Sequence, residues 1–508
     1  MRRHRILLIN PTIASSRTAR FPLAVLNLSA ALQDRYDVRI IDGNVDGEFV
    51  ATSSAMARDD GVDAIGISVM GGPQLRSAIA VSRAIRKAAP GTPIVWGGHF
   101  PTICPEEALG SDYVDYAIRG QGEATLRELM DALLDDSGAQ ARPEAFARIT
   151  GLSWRREGRV AHNLDRPFSA AGITAALPYH LLRDPGQYLK RTYLGRRTVA
   201  YQAALGCRFR CTFCGVAAMF QGRTALPVAA RLRDDLHFLK DRFGADALQF
   251  YDHNFFDREV DMVPLLEVLA DLGLPWWCFA RSDALLGLSE RSWALVRKSR
   301  LRMAYIGAES PNDQLLHDVR KGTRSDQTLA VVEKCRSNGV IPELSFMLAP
   351  PQDPEGETER TFEFIRTIKR MHPATEIMLY IYTPLPPRRH GGATARARPV
   401  PVPCDGAGSP IPFPTTADGW AEPQWVDYWC HQNAPWVSAG LRQRILDFTT
   451  VLGCRFPTVT DIRSPRWGKS ILSALASWRY WSRRYDRPWE LDFSKRFVRL
   501  WDPRVSSL

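Results

Sequence analysis

A chain of 508 residues exceeds what one hydrophobic core organises, so two or three structural units are expected. Apolar residues make up 45% and charged residues 24%, ordinary for a soluble globular protein, and no uninterrupted apolar run approaches the ~18 residues of a membrane span. The net charge of +11 is uneven, since 11 Lys or Arg face 4 Asp or Glu between Arg463 and Leu508, and nine cysteines without a regular framework argue for a reducing cytoplasm.

The first 140 or so residues alternate strand and helix. Arg5 to Pro11 reads as a strand ending in a turn; its Ile6–Ile9 run is too short for a signal-peptide core. Pro22 to Leu32 has helical apolar spacing, and further strands cover Val38–Asp42, Ala64–Val69 and Pro93–Gly98, the last two separated by a helix from Gln74 to Ala88. Short apolar strands joined by helices predict a doubly wound parallel sheet, which binds ligands at its carboxyl ends. The turns there are Asn10-Pro11-Thr12, Ser68-Val69-Met70-Gly71-Gly72, Gly97-Gly98-His99-Phe100-Pro101-Thr102 and Arg119-Gly120-Gln121-Gly122-Glu123. Their glycines permit close backbone approach to a ligand. On residues alone, this suits any nucleotide or flavin, or a binding module without a cofactor. Asp42-Gly43-Asn44 reads as an ordinary turn, and Gly151 to Val160 as a hairpin turning at Glu157-Gly158, in a linker between two larger units.

A strand-like run, Thr198 to Leu205, leads into Gly206-Cys207-Arg208-Phe209-Arg210-Cys211-Thr212-Phe213-Cys214. C-x3-C-x2-C on one tight loop can ligate three irons of a [4Fe-4S] cube and leave the fourth open to a substrate. Structural zinc wants four protein ligands, and no second C-x2-C or H-x3-H follows; a cluster used only for electron transfer remains the plainer alternative. Five more strands follow, at Ala247–Tyr251, Trp276–Arg281, Met303–Ser310, Ile341–Leu348 and Glu376–Tyr382. Six strands in all suit a partial β/α barrel, whose active residues gather at strand carboxyl ends. Asp252, Arg281, Glu309 and Ser345 fall there, although a cap, a salt bridge or a satisfied hydroxyl would explain such residues singly.

The Gly206–Cys214 string resembles the signature of the radical S-adenosylmethionine (SAM) enzymes. In that family the open iron chelates the methionine part of SAM, and one electron from the cluster yields a 5'-deoxyadenosyl radical that takes hydrogen from an unactivated carbon. The resemblance implies that Cys207, Cys211 and Cys214 are the catalytic metal ligands. It also places Phe213 near the adenine, Asp252 on the amine and Glu309 on the ribose, with Arg281 and Ser345 in the same site. Upstream, the order N-P, G-G-H-x-P-T, G-x-G-E resembles the cobalamin-binding domain of the B12-dependent members, from about Arg5 to Leu134. That likeness implies cobalamin contacts for Asn10, Ser68, Val69, Met70, Gly97, Gly98, His99, Gly120 and Glu123. Three departures stand out: Gln121 in a turn that is often G-E-G-E, no D-x-H-x-x-G after the first strand, and Ala349 opening a turn that is G-x-P-G-E-T in the family.

The implied α/β architecture is a Rossmann-like doubly wound cobalamin-binding domain (1–145), a linker (146–195), a partial (β/α)6 radical SAM barrel (196–385) and a Pro-rich loop with a mainly helical C-terminal region (386–508). Its cofactors would be a [4Fe-4S] cluster, SAM and cobalamin, with an electron donor such as flavodoxin or ferredoxin. The implied activity is methylation of an unactivated carbon of a small-molecule or lipid-like metabolite, with cyclisation, rearrangement or oxygen insertion as the alternative. A tRNA methylthiotransferase would carry a second cluster on three N-terminal cysteines, but only Cys104 precedes Cys207, and no nucleic acid is expected. Residues 384–416, rich in Pro, Gly and Arg, suit an ordered loop over the barrel mouth or a connector. In the Trp-rich region beyond, which is expected to help shape the substrate pocket, Ile471, Leu475, Trp478, Trp481 and Tyr485 form one helical stripe. The stripe is expected to pack on the barrel with its arginines in water, and peripheral contact with an acidic membrane is the alternative.

Overall fold

The computed structural model describes residues 3–134, 142–170, 176–387, 410–461, 465–495 and 498. Strand β1 (Arg5–Asn10) carries four consecutive apolar residues, Ile6 to Ile9, all fully buried. A strand covered on both faces needs such a continuous run, because in a parallel sheet helices pack on each side. Strands β2 (Asp37–Asp42), β3 (Ala64–Ser68), β4 (Ile94–Gly97) and β5 (Tyr116–Ile118) complete five parallel strands in the order β2-β1-β3-β4-β5. The order reverses beside β1, which opens a crevice at the carboxyl ends of β1 and β3. Asn44 sits in a turn as expected, its Oδ1 accepting from the Ile13 and Ala14 amides at 2.9 and 2.8 Å.

The hairpin β6 (Leu152–Arg156) and β7 (Arg159–His162) turns at Glu157 and Gly158, both with positive φ, as a two-residue hairpin turn requires. It is not a free linker, because β6 pairs antiparallel with β5 and extends the first sheet to seven strands. Buried Arg119 ties the addition down, donating to Leu152 O at 3.1 Å and pairing with Asp165 at 3.1 Å.

Strand β8 (Thr198–Tyr201) begins the second sheet; β9 (Leu205–Gly206) and β10 (Thr224–Ala225) then pair antiparallel and pinch the base of the cysteine loop. Strands β11 (Ala247–Phe250), β12 (Trp276–Ala280), β13 (Leu301–Glu309), β14 (Ile341–Leu348) and β15 (Glu376–Ile381) follow. All six are parallel in the order β8-β11-β12-β13-β14-β15, with β8 and β15 as unjoined edges, so the barrel is partial.

The C-terminal region is helical, and the Phe362 and Phe448 rings stack at 3.6 Å to hold helix Ala439–Arg455 on helix Pro354–Met371. Buried Arg366 of the latter helix donates to the carbonyl of Tyr480 and to Tyr485 Oη at 3.1 Å, which docks helix Arg466–Ser482. The expected stripe is corrected here. Tyr485 is buried, but Ile471, Leu475, Trp478 and Trp481 face outward, because the helix buries Leu472, Ala476 and Tyr480 instead. Most of the Pro-rich stretch, residues 388–409, lies outside the described residues. No helix among the described residues is long and apolar enough to cross a membrane.

Replacing Arg119 by Met should remove its buried guanidinium and the bonds to the Leu152 carbonyl and Asp165, and lower the stability of the first sheet by about 3–5 kcal/mol, read as a shift in the urea unfolding midpoint.

Candidate active site between the two sheets

The cysteine loop is positioned from three sides. Gly206, with φ 77°, takes the left-handed turn that starts it; a Cβ there would meet the Arg223 carbonyl. Thr212 N–H donates to Val319 O at 3.0 Å. The Arg281 guanidinium lies 3.6 Å from the Phe209 ring centroid, held by Asp283 at 2.9 Å and by Lys321 O at 2.7 Å. Burial pushes the Cys214 thiol up to about 11 and raises Cys207, the latter partly offset by a backbone N–H and by Arg281. The thiols interact electrostatically with one another. Yet among the described residues no three His, Cys, Asp or Glu side chains converge on a point one ion could occupy. Three cysteine thiolates carried by one loop are a donor set that fits a cube whose irons each take a separate thiolate.

Beside this loop the carboxyl ends of both sheets open onto one cavity of about 880 Å³. From the first sheet it is lined by Ser68, Met70, Gly97, Gly98, His99, Gly120 and Glu123, and from the second by Gln202, Tyr251, Phe279, Tyr305, Glu309, Ser345, Met347 and Tyr380. Phe213 and Cys214 of the cysteine loop also reach it, and Tyr382 to Pro386, Tyr428, Trp429, Cys430 and His431 complete the wall. Gly97 and Gly120 leave a shelf without side chains: a Cβ on either meets nothing closer than 3.4 Å. The buried indole N–H of Trp429 has no acceptor among the described residues, and neither has the buried side-chain amide of Asn254. A stretch of wall without side chains at Gly97 and Gly120 leaves room for a flat macrocycle such as a corrin.

Of the residues singled out in the sequence, four are placed elsewhere. Both oxygens of the Asp252 carboxylate accept backbone N–H groups, from Ala203 at 3.1 Å and from Ala204, so it braces the turn after β8 and does not line the cavity. Burial outweighs those two amides and holds its pKa at about 7. Arg281 braces the cysteine loop as described. Asn10 gives its side-chain N–H to Asp42 at 2.9 Å and accepts from Gln74 at 3.2 Å. Val69 is fully buried beneath the shelf, its N–H donating to Gly97 O at 2.8 Å.

Glu309 brings a carboxylate from the barrel into the cavity. A register irregularity against β14 and a left-handed φ of 64° turn its carboxylate into the cavity, where Lys321 Nζ holds Oε1 at 2.6 Å. A non-glycine residue stays in that region only where its surroundings hold it there. Gly307 makes room, since a Cβ there would strike both partners.

Sequence reasoning missed several wall residues. His253 follows Asp252 directly, and Tyr305 and Tyr380, hydroxyl to hydroxyl, lie on strands recognised as such; strand periodicity signals which face they occupy. Trp429 ends a distant helix and His431 lies in the turn after it, with no local signal for either. Trp429 packs so closely on Gly71 that a Cβ there would enter its indole ring, and its ring centroid lies 5.3 Å from that of His99. His99 in turn abuts Gly215, the residue after Cys214. Burial lowers His99, His253 and His431 to about 4, so all three imidazoles are neutral near pH 7.

The B12-binding domain family model matches residues 9–130 and the radical SAM superfamily model residues 201–365, one on each side of this cavity. The chain is a B12-binding radical SAM enzyme. Its cofactors are therefore cobalamin, a [4Fe-4S] cluster and SAM. Among relatives of this enzyme, an uncharacterized methyltransferase from Pyrococcus horikoshii is 24% identical over 394 residues, 74% of this chain and 83% of its own. An anaerobic magnesium-protoporphyrin IX monomethyl ester cyclase from Synechocystis is 22% identical over 399 residues, 75% of each chain. The radical SAM methyltransferase TsrM from Kitasatospora setae, solved with cobalamin and a [4Fe-4S] cluster, shares the fold at TM-score 0.63 and 16% identity, over 98% of this chain and 100% of that one. The cobalamin-dependent radical SAM enzyme OxsB, with aqua-cobalamin bound, overlays at TM-score 0.59 and 20% identity, over 71% of this chain and 52% of its own.

In this radical SAM barrel Ala349 stands where the family pattern has Gly, and it adopts φ 54° while fully buried. Ala349→Gly should relieve that left-handed strain and raise stability by about 0.5–1 kcal/mol after the entropy cost of glycine, measured as a higher denaturation midpoint.

Proposed function

We propose that this enzyme methylates an unactivated carbon of a largely apolar small-molecule or lipid-like substrate. The observation that carries the reading is the shared cavity: a predominantly apolar, aromatic-walled space that touches both the Cys214 loop and the glycine shelf. When bound, the cluster and SAM supply one-electron chemistry that removes hydrogen from carbon, and cobalamin carries a methyl group; an unactivated C–H bond offers polar catalysis neither an acidic proton nor a lone pair. The methyltransferase relatives support methyl transfer as the outcome.

The chain's own residues divide the remaining work. Glu309, kept aimed by Lys321, accepts the ribose hydroxyls of SAM, and Phe213 and Ser345 border the same pocket. The three neutral histidines and the self-satisfied Tyr305–Tyr380 hydroxyl pair add no charge to their part of the wall, so an apolar substrate meets little desolvation penalty there. Trp429, Tyr382 and Leu385 line the same space and help exclude water from the reacting carbon. The cyclase from Synechocystis, alike over 75% of each chain, favours a second reading in which the substrate radical closes a ring or rearranges.

Anaerobically reconstituted protein should hold about four irons per chain and show a corrin absorption band. Turnover should release S-adenosylhomocysteine alongside 5'-deoxyadenosine; deoxyadenosine without the homocysteine would overturn methyl transfer in favour of the second reading. Cys207→Ala, Cys211→Ala or Cys214→Ala should each abolish deoxyadenosine while leaving the corrin band intact. Glu309→Gln, by weakening a charged hydrogen bond, should lower kcat/KM for SAM by about 10–100-fold.

A further inference from the structure

Helix Arg466–Ser482 is apolar on two opposite faces. One face packs into the protein through Leu472, Ala476 and Tyr480, each at most 1% exposed. On the other, Trp467, Ile471, Leu475 and Trp478 are 68%, 53%, 49% and 59% exposed, and Trp489, just beyond, is 74% exposed. At roughly 100° per residue these four and Trp481 fall within about 120° of the helix wheel, centred away from the buried face. A surface helix normally turns polar residues outward, and a contiguous apolar patch of this kind marks an interaction site.

The charge around the patch says what it meets. Among the described side chains of residues 465–495, the six cations Lys469, Arg479, Arg483, Arg484, Arg487 and Lys495 outnumber the three acids Asp486, Glu490 and Asp492. Asp486 pairs with Arg444 at 2.8 Å, Glu490 with Arg479, and Arg483 with Glu363 at 2.8 Å. Arg484 stands 5.4 Å over the Trp478 ring with no ion pair among the described residues, and Arg370 lies 5.4 Å over Trp481. Tryptophans rimmed by cations suit the boundary between lipid headgroups and acyl chains, where the ring is half buried and the cation meets phosphate. A second copy of the chain would bring like charge against like charge. A nucleic acid would need cations along the centre of the face, which is apolar.

We propose that helix Arg466–Ser482 is a peripheral membrane-docking element that seats its Trp467, Ile471, Leu475 and Trp478 face in an anionic lipid bilayer. It lies on the membrane and does not cross it, since no described helix is long and apolar enough to do so. This surface is independent of the reaction performed in the cavity.

Flotation of the full-length, cluster-loaded protein with vesicles tests this. It should float with phosphatidylcholine vesicles containing about 30% phosphatidylglycerol, far less with phosphatidylcholine alone, and less again in about 0.5 M salt. Its tryptophan emission should shift to the blue on binding. The variant W467S/I471S/W478S should lose binding by at least about tenfold while keeping wild-type circular dichroism, melting temperature and SAM cleavage. Arg484→Glu, which leaves the apolar face intact, should reduce the preference for anionic vesicles. The proposal is overturned if the protein does not float with anionic vesicles, or if the triple variant floats as well as wild type. It is equally overturned if light scattering shows a dimer that the variant dissolves, or if the face binds nucleic acid in preference to vesicles.

Discussion

Charge is costly in the space where the carboxyl ends of the two parallel sheets meet, and much of the structure follows from keeping it out or holding it still. His99, His253 and His431 border the cavity as neutral imidazoles, because burial lowers each to about 4. Asp252, fully buried nearby, turns both carboxylate oxygens away onto backbone amides. The carboxylate of Glu309 is admitted with its own cation, Lys321, at 2.6 Å. A largely apolar wall strengthens whatever polar contact a ligand makes to the fixed Glu309–Lys321 pair, since the local dielectric is lowered.

Holding that arrangement takes uncommon backbone. Glu309 and Ala349 both sit at positive φ at the ends of adjacent strands, and β13 shifts register against β14 just where Glu309 leaves it. The cysteine loop is pinned at its base by the short β9–β10 pair and at its tip by the Arg281–Phe209 stack. Such conformations persist only when surrounding structure over-determines them. Here the C-terminal region helps: Trp436 donates to the Ala349 carbonyl at 2.8 Å, and the indole of Trp429 fills the space above Gly71.

Local features were the legible ones. Buried parallel strands are short and rich in apolar residues, so β1 to β4 and the six barrel strands show in the sequence. Three thiolates on one loop announce themselves by spacing alone. What spacing does not show is which groups compete for a side chain once the chain folds. Asp252 lies at a strand end, as expected, but the Ala203 and Ala204 amides claim its oxygens; Asn10 is likewise claimed by Asp42 and Gln74. Trp429 and His431 reach the cavity from more than 200 residues beyond the cysteines, a closure no local pattern encodes. The stripe on helix Arg466–Ser482 was legible as a stripe. Its orientation was not, because Leu472, Ala476 and Tyr480 form a competing apolar row that fits the protein surface better.

Joining the two halves into one site is the central claim, and the magnetic interaction between their metals tests it most directly. In protein loaded with both cofactors and reduced, electron paramagnetic resonance of the cob(II)alamin should show relaxation speeded by the paramagnetic cluster. The same signal should relax slowly in a Cys207→Ala, Cys211→Ala, Cys214→Ala triple variant that binds cobalamin alone. Identical relaxation in the two proteins, with the cluster present in the first, would mean that the cofactors occupy separate sites and would contradict the account.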